Sequence, residues 1–328
     1  MDSPTPTTPA LPECTTAIPD NNGYVPPTAC NANYGFYPSF EWNLVFAVLF
    51  GLTTLVHLGQ MFKYRKWFCW VVVMGSLWEL MCFALRTVGA RDQQNAGYVI
   101  ASMLLFLLAP LWINAFVYMI VARLVYYLLP QERILGMSPR WLAKIFVAAD
   151  IVSFLVQAVG GAMLANTEGG EVVITGQRIY MGGIGVQLFF VTVFGVVTVV
   201  FFRRVQQRIR SGTLARDTAW VQPLIWVLIS VILLIVVLPR QVRVIFRLVE
   251  FGGGASESNP ILTNEAYPLG LDAFPMFVAL LILNIVHPGL VLKGPESSFP
   301  RGWKRRTGEK SQLLEQGSDV EMGDRNNA

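Results

Sequence analysis

At 328 residues, 54% hydrophobic and only 14% charged, with a mean hydropathy of +0.50, the chain is too apolar for a soluble protein of its size and reads as an integral membrane protein. The formal net charge of +4 comes from short basic clusters and not from one broad basic face, which argues against nucleic acid as a partner.

Residues 1–39 are rich in Pro, Thr and Asn and lack the apolar content of a core, so they are expected to form a flexible tail. The opening MDSPTPTTPALPECTT has neither the basic start nor the apolar stretch of a cleaved signal peptide, so the first span is expected to direct insertion itself. Cys14 and Cys30 lie in this tail and would close a disulfide on an oxidising side, although spacing alone does not establish a bond. The remaining pair, Cys69 and Cys82, lies within or beside an apolar span.

A helix needs roughly 20 mostly apolar residues to cross a bilayer. Seven stretches satisfy this, near 42–62, 67–88, 98–122, 141–165, 178–202, 219–239 and 271–292. The expected fold is therefore all-α, a bundle of seven transmembrane helices over residues 40–292. A flexible cytoplasmic tail follows over 293–328.

Ionisable groups inside a bilayer cost several kcal/mol and should face a partner or a cavity. In the second stretch Glu79 and Arg86 are two turns apart on one face, too separated for a tight contact with each other. Each then needs a group on another helix, and Asp150 is the natural mate for Arg86 or for an arginine of the 240–247 segment. The competing reading is an ion-pair network that only orients helices. In the third stretch, Pro110 removes a backbone donor, and Asn114 and Tyr118 follow at i and i+4. They serve either as interhelical packing or as lining of a pathway with Asp150. The fourth holds FVAADIVSFLVQAVGG, in which Asp150, Ser153 and Gln157 share a face with Gly160 and Gly161. Gln187 offers a similar group from the fifth, and Asp272 from the start of the last. His287, near the end of the last stretch, reads more readily as a helix-end hydrogen bonder than as a proton carrier.

Lys and Arg accumulate in alternate connections: KYRK at 63–66, then Arg123, Arg133, Arg140 and Lys144, then RRVQQRIRSGTLAR from Arg203 to Arg216. This puts the N-terminus outside and the C-terminus in the cytoplasm. The connections on the other side carry Arg91 with Asp92, then Glu168, Glu171 and Arg178. One outer segment breaks the bias, since Arg240, Arg243, Arg247 and Glu250 would share one helical face. Two readings stand: a cationic stripe across an outer vestibule, or a charged helix end snorkelling at the headgroups. In the tail, Glu309 precedes Leu313 and Leu314 at the spacing of an acidic dileucine sorting signal.

Several activities lack their residues. With His57 and His287 as the only histidines, a histidine-rich zinc hydrolase is unsupported. The last span has no lysine for a retinal Schiff base, and no G-x-x-x-x-G-K-[ST] loop exists for ATP. Ser153 has no in-membrane histidine placed to activate it, so the chain is not expected to be an enzyme or to need a cofactor or metal.

Taken in order, YPSFEWNLVF, His57, Glu79 and Arg86, LLAP, YMIVARL, FVAADIVSFLVQAVGG, GQRIYMGGIGVQ, RQVRVIFRLVEF with Glu265, Tyr267 and Asp272, and HPG at 287–289 resemble the fungal RTA1-like, or lipid-translocating exporter, family. The resemblance runs from about Tyr34 to Gly289. The chain departs from the family pattern at Cys82 and Phe83, where a Gly-Tyr pair is expected, and in the drawn-out GGGASESNPILTNEAY.

The resemblance implies movement of amphipathic lipids such as sphingoid bases, and resistance to toxic lipophiles. Asp150 and Glu79 would hold an amine, apolar helix faces the tail. The expected location is a multi-pass position in the plasma membrane, with endosomal or vacuolar membranes as alternatives. Two rival classes remain: a lipid-responsive receptor, with Arg203 to Arg216 as the surface for a cytoplasmic protein partner, and a regulator of lipid asymmetry acting through another pump.

Overall fold

The computed structural model describes residues 15–26, 29–129, 134, 136, 138–164, 171–212, 220–236, 264–292 and 294. The long elements are all helical. They are α1 (Phe40–Tyr64), α2 (Trp70–Gly89), α3 (Ala96–Leu128), α4 (Pro139–Leu164), α5 (Glu171–Arg210) and α6 (Val221–Val236). The last, α7, is continuous through an α turn Ala266–Pro268, a π turn Leu269–Ala273 and the α segment Phe274–Ile285. Single 3₁₀ turns, Trp67–Cys69 and Pro288–Leu290, precede α2 and follow α7.

Helix ends follow from local chemistry. Ser39 caps α1 by accepting from the Trp42 N–H at 3.4 Å, and Asn95 caps α3 by accepting from Gly97 N–H at 3.0 Å. Arg65 ends α1 in the left-handed region, with φ of 51°. Its N–H and that of Lys66 return to the carbonyls of Phe62 and Met61, both at 3.2 Å.

The bundle is apolar outside as well as inside. On α1, Phe46, Phe50 and Met61 are buried together with Asn43, Thr53, Thr54 and His57, whereas Trp42, Val48, Leu52, Leu55 and Val56 are exposed. A helix that leaves so many large apolar side chains on its outer face is built for lipid. Six helical segments among the described residues are long and apolar enough to cross a membrane: Phe40–Tyr64, Trp67–Gly89, Ala96–Leu128, Trp141–Met163, Glu171–Arg210 and Ala266–Leu290. The α6 helix is apolar but shorter over its described length. Together these make the protein a multi-pass membrane protein.

Neighbouring helices run antiparallel and approach closely at glycine. Gly75 on α2 meets Ile113 of α3, and Gly89 meets Tyr98, so a β-carbon at Gly75 would lie 2.9 Å from Ile113 Cγ1. On the α4–α5 face, a β-carbon at Gly160 would lie 2.5 Å from the Tyr180 backbone nitrogen, and one at Gly183 would lie 2.8 Å from Gln157 Cγ. These are the small-residue contacts that let membrane helices pack without a hydrophobic driving force.

Two boundaries differ from the hydropathy reading. Helix α5 begins seven residues earlier than expected, at Glu171, so Glu171 and Arg178 are helical and not part of a connection. A carboxylate in a first helical turn is favoured by the helix dipole. The last span begins at Ala266 and not near 271, because the π turn continues the helix through Asp272.

Candidate functional site

The α2–α3 end of the bundle encloses a cavity of about 290 Å³. Its wall takes Arg86 from α2, Ser102 and Phe106 from α3, Gln157 from α4, Tyr180, Ile184 and Gln187 from α5, and Glu265, Tyr267 and Asp272 at the start of α7. The roof is the segment before α1, with Asn33, Tyr34, Phe36 and Pro38.

That segment is tied down by hydrogen bonds that its composition does not announce. Gln93 N–H donates to Asn22 O at 3.0 Å, Gln94 Nε2 to Gly23 O at 2.6 Å, and Asn33 Nδ2 to Gln93 O at 3.1 Å. The Tyr34 hydroxyl occupies the space a side chain at Gly89 would need, 2.5 Å from where a β-carbon would sit. Burial pushes the Tyr34 phenol up, opposed by Arg86. Cys30 is disulfide-bonded, whereas Cys69 and Cys82 are free and buried. Cys14 lies outside the described residues.

Glu265 fastens the roof to α7. Its Oε2 accepts the Ser39 N–H and its Oε1 accepts Asn43 Nδ2, each at 2.6 Å. Burial pushes its carboxyl above the ordinary value of 4.5, and the two hydrogen bonds and Arg86 pull the other way. The sequence marks Glu265 only as one of the residues that carry the family resemblance. Arg86 lies 4.8 Å from the Phe106 ring centroid and 5.6 Å from that of Phe83, and its Nη1 is buried without a hydrogen-bond partner.

These contacts keep Arg86 at the cavity end of the bundle, and the arginines of the 240–247 segment lie outside the described residues. Asp150 sits seven residues, about 10 Å, deeper along α4 than Gln157. There its Oδ2 accepts Tyr118 OH at 2.9 Å and Asn114 Nδ2 at 3.1 Å. Asp150, Asn114, Tyr118 and Ser153 are buried and none of them lines the cavity. The Ser153 hydroxyl donates back to Ala149 O at 2.8 Å. Of the face carrying Asp150, Ser153 and Gln157, only Gln157 reaches the cavity, where its amide nitrogen donates to Gln187 Oε1 at 3.1 Å.

Glu79 is wholly buried on α2. Glu79, Arg86 and Asp272 all lie within electrostatic reach of Cys82. Phe83 does not face the cavity: it stacks on Phe46 and Phe50 at 5.2 and 5.5 Å, so a phenol missing there takes nothing from the cavity wall. Arg240, Arg243, Arg247 and Glu250 lie outside the described residues, as do Glu309, Leu313 and Leu314.

At the opposite end of the bundle, His287 accepts the Gly289 N–H on Nδ1 at 3.1 Å, stacks on Tyr64 at 4.8 Å and places Nε2 3.6 Å from Cys69 Sγ. It is a helix-end hydrogen bonder. Among the described residues, no group of three or more His, Cys, Asp or Glu is placed to hold a metal ion.

A multi-pass helical bundle with a largely apolar cavity at one end, into which a few charged groups project, is the architecture of an integral membrane protein. Residues 72–295 match the family profile for RTA1 like protein, and the chain belongs to that family. It is similar to the "probable lipid transporter atnI" of Emericella nidulans, 40% identical over 293 residues that cover 89% of this chain and 76% of that relative. It is also similar to the "sphingoid long-chain base transporter RSB1" of Saccharomyces cerevisiae, 26% identical over 83% of this chain and 78% of the relative. "Protein RTM1" of the same yeast is 30% identical over 71% of this chain and 72% of its own length. No solved structure matches the chain.

Proposed function

We propose that the protein translocates amphipathic lipids carrying an amine, of the sphingoid-base type, toward the outer leaflet, and so contributes to resistance to toxic lipophiles. The observation that carries this is the cavity wall. It joins two carboxylates, Glu265 and Asp272, and the Arg86 guanidinium to apolar faces from Phe106, Ile184 and Leu271. An ammonium with adjacent hydroxyls finds acceptors there, and a hydrocarbon chain finds the apolar remainder. The names of the relatives point the same way.

In this reading α6 belongs to a sixth of seven spans, extending over 219–239. The α2–α3 end then faces outward and the basic end of α5, with Arg203, Arg204, Arg208 and Arg210, lies in the cytoplasm of a plasma-membrane protein. Asp150 with Asn114 and Tyr118 holds α3 and α4 in register behind the cavity and is not itself a headgroup site. The protein works as a carrier and not as an enzyme.

The test is release of a labelled long-chain amine from liposomes holding the purified protein, beside an Asp272→Asn variant. Release by the wild type that falls in the variant supports direct transport through the cavity. No release from folded protein overturns it in favour of a regulator or receptor.

A further inference from the structure

Helices α1 and α7 touch sparsely compared with the α1–α2 and α4–α5 pairs. Their seam is bridged at separate levels. Glu265 bonds Ser39 and Asn43 at the top, Phe50 meets Phe277 edge-on at 6.1 Å below, and Asn284 Nδ2 donates to Thr53 O at 3.4 Å further down. Between these contacts the seam is open to the lipid side. An upper slot of about 550 Å³ is lined by Trp42, Phe46, Glu265, Leu269, Gly270 and Phe274. A lower slot of about 370 Å³ is lined by apolar side chains, among them Leu49, Leu52, Val56 and Leu281, with Thr53 and Asn284 at its inner edge.

The two slots grade in polarity as an amphiphile does. The upper one has a carboxylate with Ser39 and Asn264 beside it, whereas the lower one is almost wholly hydrocarbon. From Asn43 to Val56 the seam runs roughly 20 Å along α1, more than the roughly 15 Å depth of one leaflet's hydrocarbon. Glu265 also lines the interior cavity, so a cation held by it stands at the boundary between the cavity and the lipid.

We propose that the α1–α7 seam is a lipid subsite and lateral portal, taking a single-chain amphiphile with its ammonium on Glu265 and its chain in the two slots, and passing it between the cavity and the outer leaflet. The proposal rests on the transport reading above and adds where the lipid leaves. Opening of the upper level requires that Glu265 exchange its bonds to Ser39 and Asn43 for the ammonium, while the Phe50–Phe277 contact and the bonds of Asn284 to Thr53 and Gln60 hold α1 and α7 together below. The π turn lies at this level, where a helix with loosened hydrogen bonding bends most readily.

The experiment uses the full chain in liposomes and a long-chain amine with a photoreactive group in mid-chain, beside the same chain ending in a hydroxyl. After irradiation, labelled positions are mapped, and release of the amine is followed in parallel. The amine is expected to label the Leu49–Val56 face of α1 and Phe277, Leu281 and Ile285 on α7. Gly270→Phe fills the upper slot, where Gly270 has no neighbour within 4 Å. That variant should lose both labelling and release. Gly185→Phe, equally open but on α5, should lose neither. Glu265→Gln should weaken labelling by the amine roughly tenfold and leave the hydroxyl probe unchanged.

If the wild type releases lipid while labelling maps elsewhere and Gly270→Phe works normally, the portal is overturned and transport stands. If labelling maps to the seam without any release, the subsite stands and transport falls. Equal labelling by both probes in Glu265→Gln and wild type overturns the ammonium site. Cross-linking of the seam to a second copy of the chain overturns the lipid as its occupant.

Discussion

Tyr118 on α3 donates its hydroxyl to Asp150 on α4 at 2.9 Å, and Asn114, one turn earlier on α3, donates to the same oxygen. This pairing joins two helices through a buried acceptor. Removing the donor in Tyr118→Phe should cost about 1.5–3 kcal/mol, the range for hydrogen bonds to charged groups. Thermal unfolding in lipid or detergent would read it. Combined with Asp150→Asn, the loss should be smaller than the sum of the two single losses, because both act on one contact.

The α4–α5 crossing makes a second prediction. Gly160→Ala places a methyl 2.5 Å from the Tyr180 backbone nitrogen and 2.8 Å from the Gly176 carbonyl oxygen, neither of which yields cheaply. Destabilisation of about 1–3 kcal/mol is expected from the forced separation. Gly182→Ala, on the same pair of helices but with nothing within 4 Å, should be neutral or slightly stabilising. An equal effect at both positions would show that helix propensity and not packing governs the site.

Glu265 should carry a pH signature. Its carboxyl is raised above 4.5 by burial, so the folded protein holds that proton more tightly than the unfolded chain. The linked stabilisation is fully present below 4.5 and is lost as pH rises through the folded value. Glu265→Gln mimics the protonated form and should flatten this part of the stability profile. A variant profile parallel to that of the wild type would argue against the shift.

At the α1–α2 end, Gly289→Ala would bring a methyl to 2.7 Å from Tyr64 Cγ and 2.9 Å from His287 Nδ1. The stack of Tyr64 on His287 and the contact of His287 with Cys69 must then rearrange. The measurable outcome is faster reaction of Cys69 with a small thiol reagent, since Cys69 is wholly buried in the native protein. Unchanged labelling would place the protection elsewhere.

Hydropathy and spacing made the helices legible, because crossing a bilayer demands long apolar runs. They also made the polar face of α4 legible, since Asp150, Ser153 and Gln157 fall at helical intervals. What they did not reveal is depth. Spacing put Asp150 and Gln157 on one face, yet only Gln157 reaches the cavity, because the α3 donors Asn114 and Tyr118 close over Asp150. The role of Glu265 was not legible beyond the family resemblance, since it precedes the apolar run and its contacts with Ser39 and Asn43 span more than 200 residues of chain. The roof formed by Tyr34 and Phe36 has no periodicity that would announce it.

The π turn Leu269–Ala273 closes its hydrogen bond from Phe274 N–H to Leu269 O, five residues back. Compared with an α turn it holds one residue more, and one residue is worth about 100° of rotation. Deleting a single residue there would wind the segment as ordinary helix and swing Glu265 about a quarter turn away from Ser39 and Asn43, with every side chain unchanged. The clasp between the roof and α7 is thus a matter of helical phase, held by chain length as much as by chemistry.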